Sequence, residues 1–366
     1  MGSHRADRPD QAHGHGHGHG HGTDVELVVA PLPRAVLLAV LAAIAVASVV
    51  GLTLLWPDSG RTDDLKGSVG FAAEGSTFPE ATVDTVLPLC PQSGPDAPPD
   101  TSAPCGQVEV TVAGGADKGT EVAVDVPPEV TGAGLEKGDR LVLLRTPGAD
   151  GQEATFGYYE VERSTSLWLV GGLFVVVVLA VARLRGLMAL VGLAVAGAVI
   201  GGFAVPALLS GESAVPVALV ASAVIMYVVL YSTHGVSMRT SAALAGTLAG
   251  MVLTATIGWW SVTSAHLTGV VDEGGRVLST FAGDLSLQEL LVAAVVIAGL
   301  GVLNDVTITQ ASAVWELRGA APTMSRSRLF TSAMRIGRDH IASTIYTIVF
   351  AYAGTCLLYT SDAADE

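Results

Sequence analysis

Between Leu285 and Arg318 the chain reads LSLQELLVAAVVIAGLGVLNDVTITQASAVWELR, an apolar run long enough to cross a bilayer that ends in hydrogen-bonding and ionisable side chains. Asn304, Asp305, Thr307, Thr309, Gln310, Ser312 and Glu316 fall at or just beyond one end of that run. A carboxylate at the centre of a membrane helix costs about 2.5–3.5 kcal/mol on insertion scales, so such groups are usually partnered and often functional. On a helix, Asn304, Thr307 and Ser312 fall roughly along one stripe, and Asp305, Thr309, Ser312 and Glu316 along another by steps of three and four residues. Gly299 and Gly301 just before them could let the helix unwind. Exposed backbone beside a carboxylate is the material of cation and proton sites in transporters. The competing reading puts Asp305 at a cytoplasmic rim, capping or pairing with Arg318 or another base of the next loop.

A second charged group, Arg335, Arg338, Asp339 and His340, precedes an apolar run that opens with Ser343, Thr344, Tyr346 and Thr347. This reads as a charged cytoplasmic helix leading into a partly polar span. Asp339 can pair with Arg335 four residues earlier, a surface contact of a few tenths of a kcal/mol. In the sharper reading this helix entry and Asp305 surround one cytoplasm-facing cavity. Elsewhere, His13, His15, His17, His19 and His21 alternate with glycine. Such a tail cannot bury a core and is either a loose chelator of zinc, nickel or copper or a solvated low-complexity segment or tag. Cys90 and Cys105 bound a Pro-rich loop. In an oxidising compartment they should close as a disulfide, contributing about 3 kcal/mol in the chain-entropy model. His234, His266 and His340 are too scattered to make a metal site by spacing, although His266 near Asp272 and Glu273 leaves a weak metal contact open. No HExxH, GxSxG or Walker pattern appears, so no enzyme is expected. Without a P-loop, any pumping would draw on an ion gradient or a separate ATPase.

The elements that must position these groups follow from composition. Of 366 residues half are hydrophobic and 14% charged, with mean hydropathy +0.53, which marks a membrane protein despite a net charge of -15. Clustered Lys and Arg of the kind that binds nucleic acid are missing. The fold class expected is a mainly α-helical polytopic membrane protein with about seven visible spans and a small extracytoplasmic β-barrel or sandwich. Residues 1–34 form a His/Gly-rich disordered cytoplasmic tail and 35–56 the first transmembrane helix. Residues 57–166 form the β-rich outer domain and 167–355 the multi-span domain. The spans after the outer domain are Leu167 to Ala182, Leu187 to Leu209, Ala214 to Tyr231, Ala242 to Val262, Leu287 to about Val306, and one from Ile341 onward. Arg183 and Arg185, Arg239, and Arg318 to Arg338 fall in every second connection, while Glu212, Asp272, Glu273 and Asp284 fall in the others. By the positive-inside rule the N-terminus is then cytoplasmic.

In the outer domain Val108, Val110 and Val112, and again Val122, Val124 and Val126, alternate with polar residues. Arg140 to Arg145 and Thr155 to Val161 read as two further strands, with Glu136 to Asp139 as a tight turn. In the spans, Gly197 with Gly201 and Gly246 with Gly250 form GxxxG pairs suited to close helix packing. Pro206 and Pro216 should kink or cap their helices.

The segments GLGVLNDVTITQASAVWEL (Gly299 to Leu317), RIGRDHIASTIYTIVFAYAG (Arg335 to Gly354) and RLRG (Arg183 to Gly186) closely resemble signatures of the YibE/F family of bacterial multipass membrane proteins. The resemblance runs from the first span to Gly354. It implies a permease-like protein of the bacterial inner membrane and brings no established reaction, substrate or cofactor. Family members continue into further apolar sequence at this point. Here Cys356 to Glu366, CLLYTSDAADE, matches the translation of a transposase sequencing adapter over all eleven residues and is read as an artefact that truncates the last span. The expected function is a permease or transporter component. The alternative is a non-transporting scaffold whose outer domain binds an envelope or secreted partner. A second copy of the chain or a paralogous membrane subunit is the expected partner within the bilayer.

Overall fold

A computed structural model describes residues 30–58, 60, 75–87, 106–148, 153–269 and 286–364. The His/Gly tail, Cys90 and Cys105, and the acidic pair Asp272 and Glu273 lie outside the described residues.

The chain enters helix α1, Pro31–Leu54, with prolines in its first turn, where the missing N–H would have no partner in any case. Strands β1, Glu80–Val86; β2, Gln107–Val112; β3, Glu121–Asp125; β4, Arg140–Thr146; and β5, Thr155–Val161 follow, with a short helix α2, Pro128–Gly132, between β3 and β4. All pairings are antiparallel, in the order β3-β2-β1-β4-β5. The outer strands β3 and β5 also approach one another, so the sheet is nearly closed, which favours the barrel of the two expected forms. Alternation sends Val108, Val110, Val112 and Val124 inward with Ala81, Val83, Leu141 and Leu143, all at most 1% exposed. The expected turn is present: Asp139 N–H donates to the Glu136 carbonyl at 3.1 Å, and the Asp139 carboxylate accepts from Glu136 N–H at 2.9 Å.

The helical region opens with α3, Ser164–Val199, which runs through a π-helical turn, Ile200–Ala204, into α4, Val205–Leu209. The π turn has a local cause. Pro206 has no N–H for the ladder and its ring crowds the carbonyl four residues back, so the helix widens just before it. Then come α5, Ala214–His234; α6, Met238–Ser264; α7, Leu287–Ala320; and α8, Arg326–Ala364. Six helices among the described residues are long and apolar enough to cross a membrane, against about seven expected. The difference lies at Ser164–Leu209, a 46-residue unit that holds the two runs expected as separate spans. It bends sharply between them. Arg183 has φ 52 and ψ -129, and a Cβ on Gly186 would lie 2.7 Å from the Val178 carbonyl oxygen. In a straight helix those residues would be about 12 Å apart along the axis.

α1 belongs to the bundle: the Tyr227 hydroxyl of α5 donates to the Leu41 carbonyl at 2.6 Å. A core of Leu230, Leu244, Leu248, Val296 and Leu300 joins α5, α6 and α7. Gly246 and Gly250 act as expected, since added Cβ atoms would sit 3.4 Å from Thr307 and 3.0 Å from Leu303. The other GxxxG pair does not. Among the described residues, Cβ atoms on Gly197 and Gly201 would meet nothing within 4 Å, and it is Gly192 that faces a neighbour, Val229.

Candidate functional site

The site is built on α7. Ser286 caps this helix by accepting from the Glu289 N–H at 3.3 Å, and the Glu289 carboxylate in turn accepts the Ala214 N–H at 3.1 Å. The starts of α5 and α7 are thereby tied at one end of the bundle. Asp305 lies eighteen residues past Leu287, about 27 Å along the helix, close to the roughly 30 Å thickness of a hydrocarbon core. At that far end Arg185 and Arg239 come within electrostatic reach of His234.

The polar residues of α7 divide between two neighbours. Towards α6, the close approach at Gly246 and Gly250 brings the Thr247 and Thr307 hydroxyls to 2.6 Å. Each also lies within hydrogen-bond distance of a backbone carbonyl one turn earlier, Ala243 at 3.0 Å and Leu303 at 2.7 Å. Two hydroxyl protons thus serve the shared contact and one carbonyl, and no proton is left over. Beside them the Asn304 side-chain oxygen is buried with no hydrogen-bond partner among the described residues.

Towards α8, His340 Nε2 lies 3.2 Å from Asp305 Oδ2, and the Gln310 amide donates to the Ala333 carbonyl at 3.0 Å. A Cβ on Gly337 would collide with the Gln310 amide, so glycine there is what lets the side chain reach α8. Asp305 keeps 61% of its side chain exposed and His340 34%, so the pair is a flank contact between α7 and α8, open on one side. The rim pairing with Arg318 does not form. Arg318 donates instead to the Pro322 and Met324 carbonyls at 3.1 and 2.8 Å, bracing the loop between α7 and α8. Nor does an ion pair join Asp339 to Arg335 among the described residues, where Arg335, Arg338 and Asp339 are exposed on α8. Thr309 and Ser312 are half-buried and Glu316 is exposed.

Several groups of this framework escaped sequence reasoning. Thr247 is fully buried, as is Thr240 one heptad earlier, and Ser241 shares a 3.0 Å contact with the Tyr231 hydroxyl. A signal was available in α6. Thr240, Thr247 and Thr254 repeat every seven residues, and Thr254 is the side chain that an added Cβ on Gly299 would meet at 3.9 Å.

A family model described as YibE/F-like protein matches residues 170–360, more than half of the chain. The chain belongs to the YibE/F-like family. Comparisons with curated proteins and with solved structures gave no match. The YibE/F-like region takes in most of α3 and all of α4 to α7, together with α8 as far as residue 360, including the Asp305–His340 contact. It leaves α1 and the β-barrel outside and reaches into Cys356 to Glu366.

Proposed function

We propose that this YibE/F-like protein is a permease or transporter component of the bacterial cytoplasmic (inner) membrane and not an enzyme, with a cytoplasmic N-terminus and an outer β-barrel. The observation that carries the reading is the polar tip of α7, where a carboxylate reaches His340 on the next helix and the buried amide oxygen of Asn304 has no partner among the described residues. Intramembrane groups of this kind mark ion and substrate paths more often than they serve stability. Asn304, Asp305, Thr307, Thr309, Gln310 and Glu316 form the pathway element, and Arg335, Arg338 and Asp339 its cytoplasmic entry. The orientation draws support from Arg185 and Arg239 meeting at one end of the bundle and Glu289 capping α5 at the other.

Reconstitution of the full chain in proteoliposomes tests this. Proton and metal-cation flux above that of empty vesicles is the expected result. Asp305→Asn, inserted to the same level, should lower the initial rate at least about tenfold, equivalent to about 1.4 kcal/mol in a barrier. Equal flux in the two proteins removes the carboxylate from the mechanism, and no flux in either, with an envelope protein retained by the barrel, leaves the scaffold.

A further inference from the structure

α8 packs on α7 through a short stretch at its start. Ala333 and Gly337 are buried there, while the rest of the helix as far as Leu357 is largely exposed. Three contacts hold the stretch: the neutral Gln310 to Ala333 hydrogen bond, the fit of Gln310 over Gly337, and Asp305 with His340. Only the last can change charge. It is also the contact farthest from the loop that Arg318 braces, about 22 Å along α8 from Ser325, so it has the longest lever over where α8 lies.

We propose that Asp305 and His340 form a proton-binding latch, in which a proton taken up by the imidazole holds α8 against α7 and its loss lets α8 swing away on the Arg318-braced loop. The chemistry follows from the ring. A neutral imidazole carries a proton on Nε2 in one tautomer only, whereas the imidazolium carries one on both nitrogens, so proton uptake guarantees a donor facing the carboxylate. That bond is then charge-assisted and roughly twice as strong as a neutral one. Histidine is the side chain that makes this change near neutral pH. The other titratable or charged groups near this end include Glu316 and Arg318 on α7, Arg335, Arg338 and Asp339 on α8, and Arg185 on α3. α5 and α6, packed on α7, add His234 and Arg239. None of these forms an ion pair with Asp305 or His340 among the described residues. The inference rests on the transport reading for its purpose, since a proton that moves a helix is a means of coupling flux to a gradient.

Spin labels on Val252→Cys in α6 and Ser343→Cys in α8, placed in the full chain with Cys356→Ser and held in lipid nanodiscs, read the position of α8. A single short distance at about pH 5.5, giving way to a longer population by about pH 8.5, is the expected result. Asp305→Asn and His340→Gln should each abolish the pH response, and Asp305→Glu, which keeps the carboxylate, should retain it and show that loss is not misfolding. Distances indifferent to pH in the parent chain, or a full response in Asp305→Asn, overturn the latch. A working latch in a protein without flux supports the inference and removes transport. Flux with distances blind to pH removes the latch and leaves transport.

Discussion

Thr247 and Thr307 illustrate what a hydroxyl does between helices that cannot use the hydrophobic effect against lipid. One hydroxyl donates to the other, which is left to donate to its own backbone carbonyl, and Gly246 and Gly250 bring the two helices close enough for that to happen. Hydrogen bonds in such settings contribute about 0.6 kcal/mol on average and about 1.7 at most. Thr247→Val, which keeps the shape, should therefore lower stability in detergent by about that amount, whereas a loss of several kcal/mol would mean that the pair anchors the bundle. Asp305 stood out from sequence because a carboxylate at the end of an apolar run needs a reason. The sequence also pointed to the helix entry that carries His340 as its neighbour, but not to His340 as the side chain in contact, since that residue is thirty-five positions away and its distance from Asp305 depends on how α8 folds back. Arg318 was the nearer base in sequence but is turned to the Pro322 and Met324 carbonyls.

Among the elements, the joint between the barrel and α3 is where two structural regimes meet. The Glu162 carboxylate accepts the Ser164 N–H at 2.7 Å at the start of α3, and Arg140 of β4 donates to the Thr165 hydroxyl at 3.3 Å. The contacts with Ser164, side chain and backbone, hold the Glu162 carboxyl below its ordinary range. A carboxyl whose folded pKa is depressed adds stability above its unfolded value and loses it as pH falls through the folded one. Protection of the Ser164 amide against hydrogen exchange, corrected for intrinsic rate, should accordingly fall on acidification from neutral pH. In Glu162→Gln it should be lower at neutral pH and show little of that fall. Equal pH dependence in both proteins would dismiss the contact. Strands β2 and β3 were legible from alternating valines because one side of each faces a core, and β4 and β5 as further strand runs, whereas β1, Glu80–Val86, had no residues assigned to it. The bend at Arg183 was legible only as two basic residues between apolar runs, because a break in backbone dihedrals leaves no pattern of its own when helix continues on both sides. The idle Gly197 and Gly201 show the converse: a motif permits close packing but does not say which face a neighbour will take.

For the whole molecule, hydropathy identified the apolar helices well because composition and length are enough for that, and the family match over residues 170–360 agrees with the long motifs on α7 and α8. The way the helices pair was not in the sequence in the same sense. It depends on small residues meeting particular partners and on a few polar contacts, Tyr227 to Leu41 and Glu289 to Ala214 among them. On the transport reading α7 crosses the bilayer with Asp305 at its cytoplasmic end and the barrel on the opposite side. Labelling of single introduced thiols in intact cells with a membrane-impermeant maleimide tests it, with Lys118→Cys in the exposed turn between β2 and β3 and Glu316→Cys on α7. The thiol at position 118 should react in intact cells, and that at 316 only after lysis. Reaction at 316 in intact cells, or protection at 118 until lysis, would contradict it.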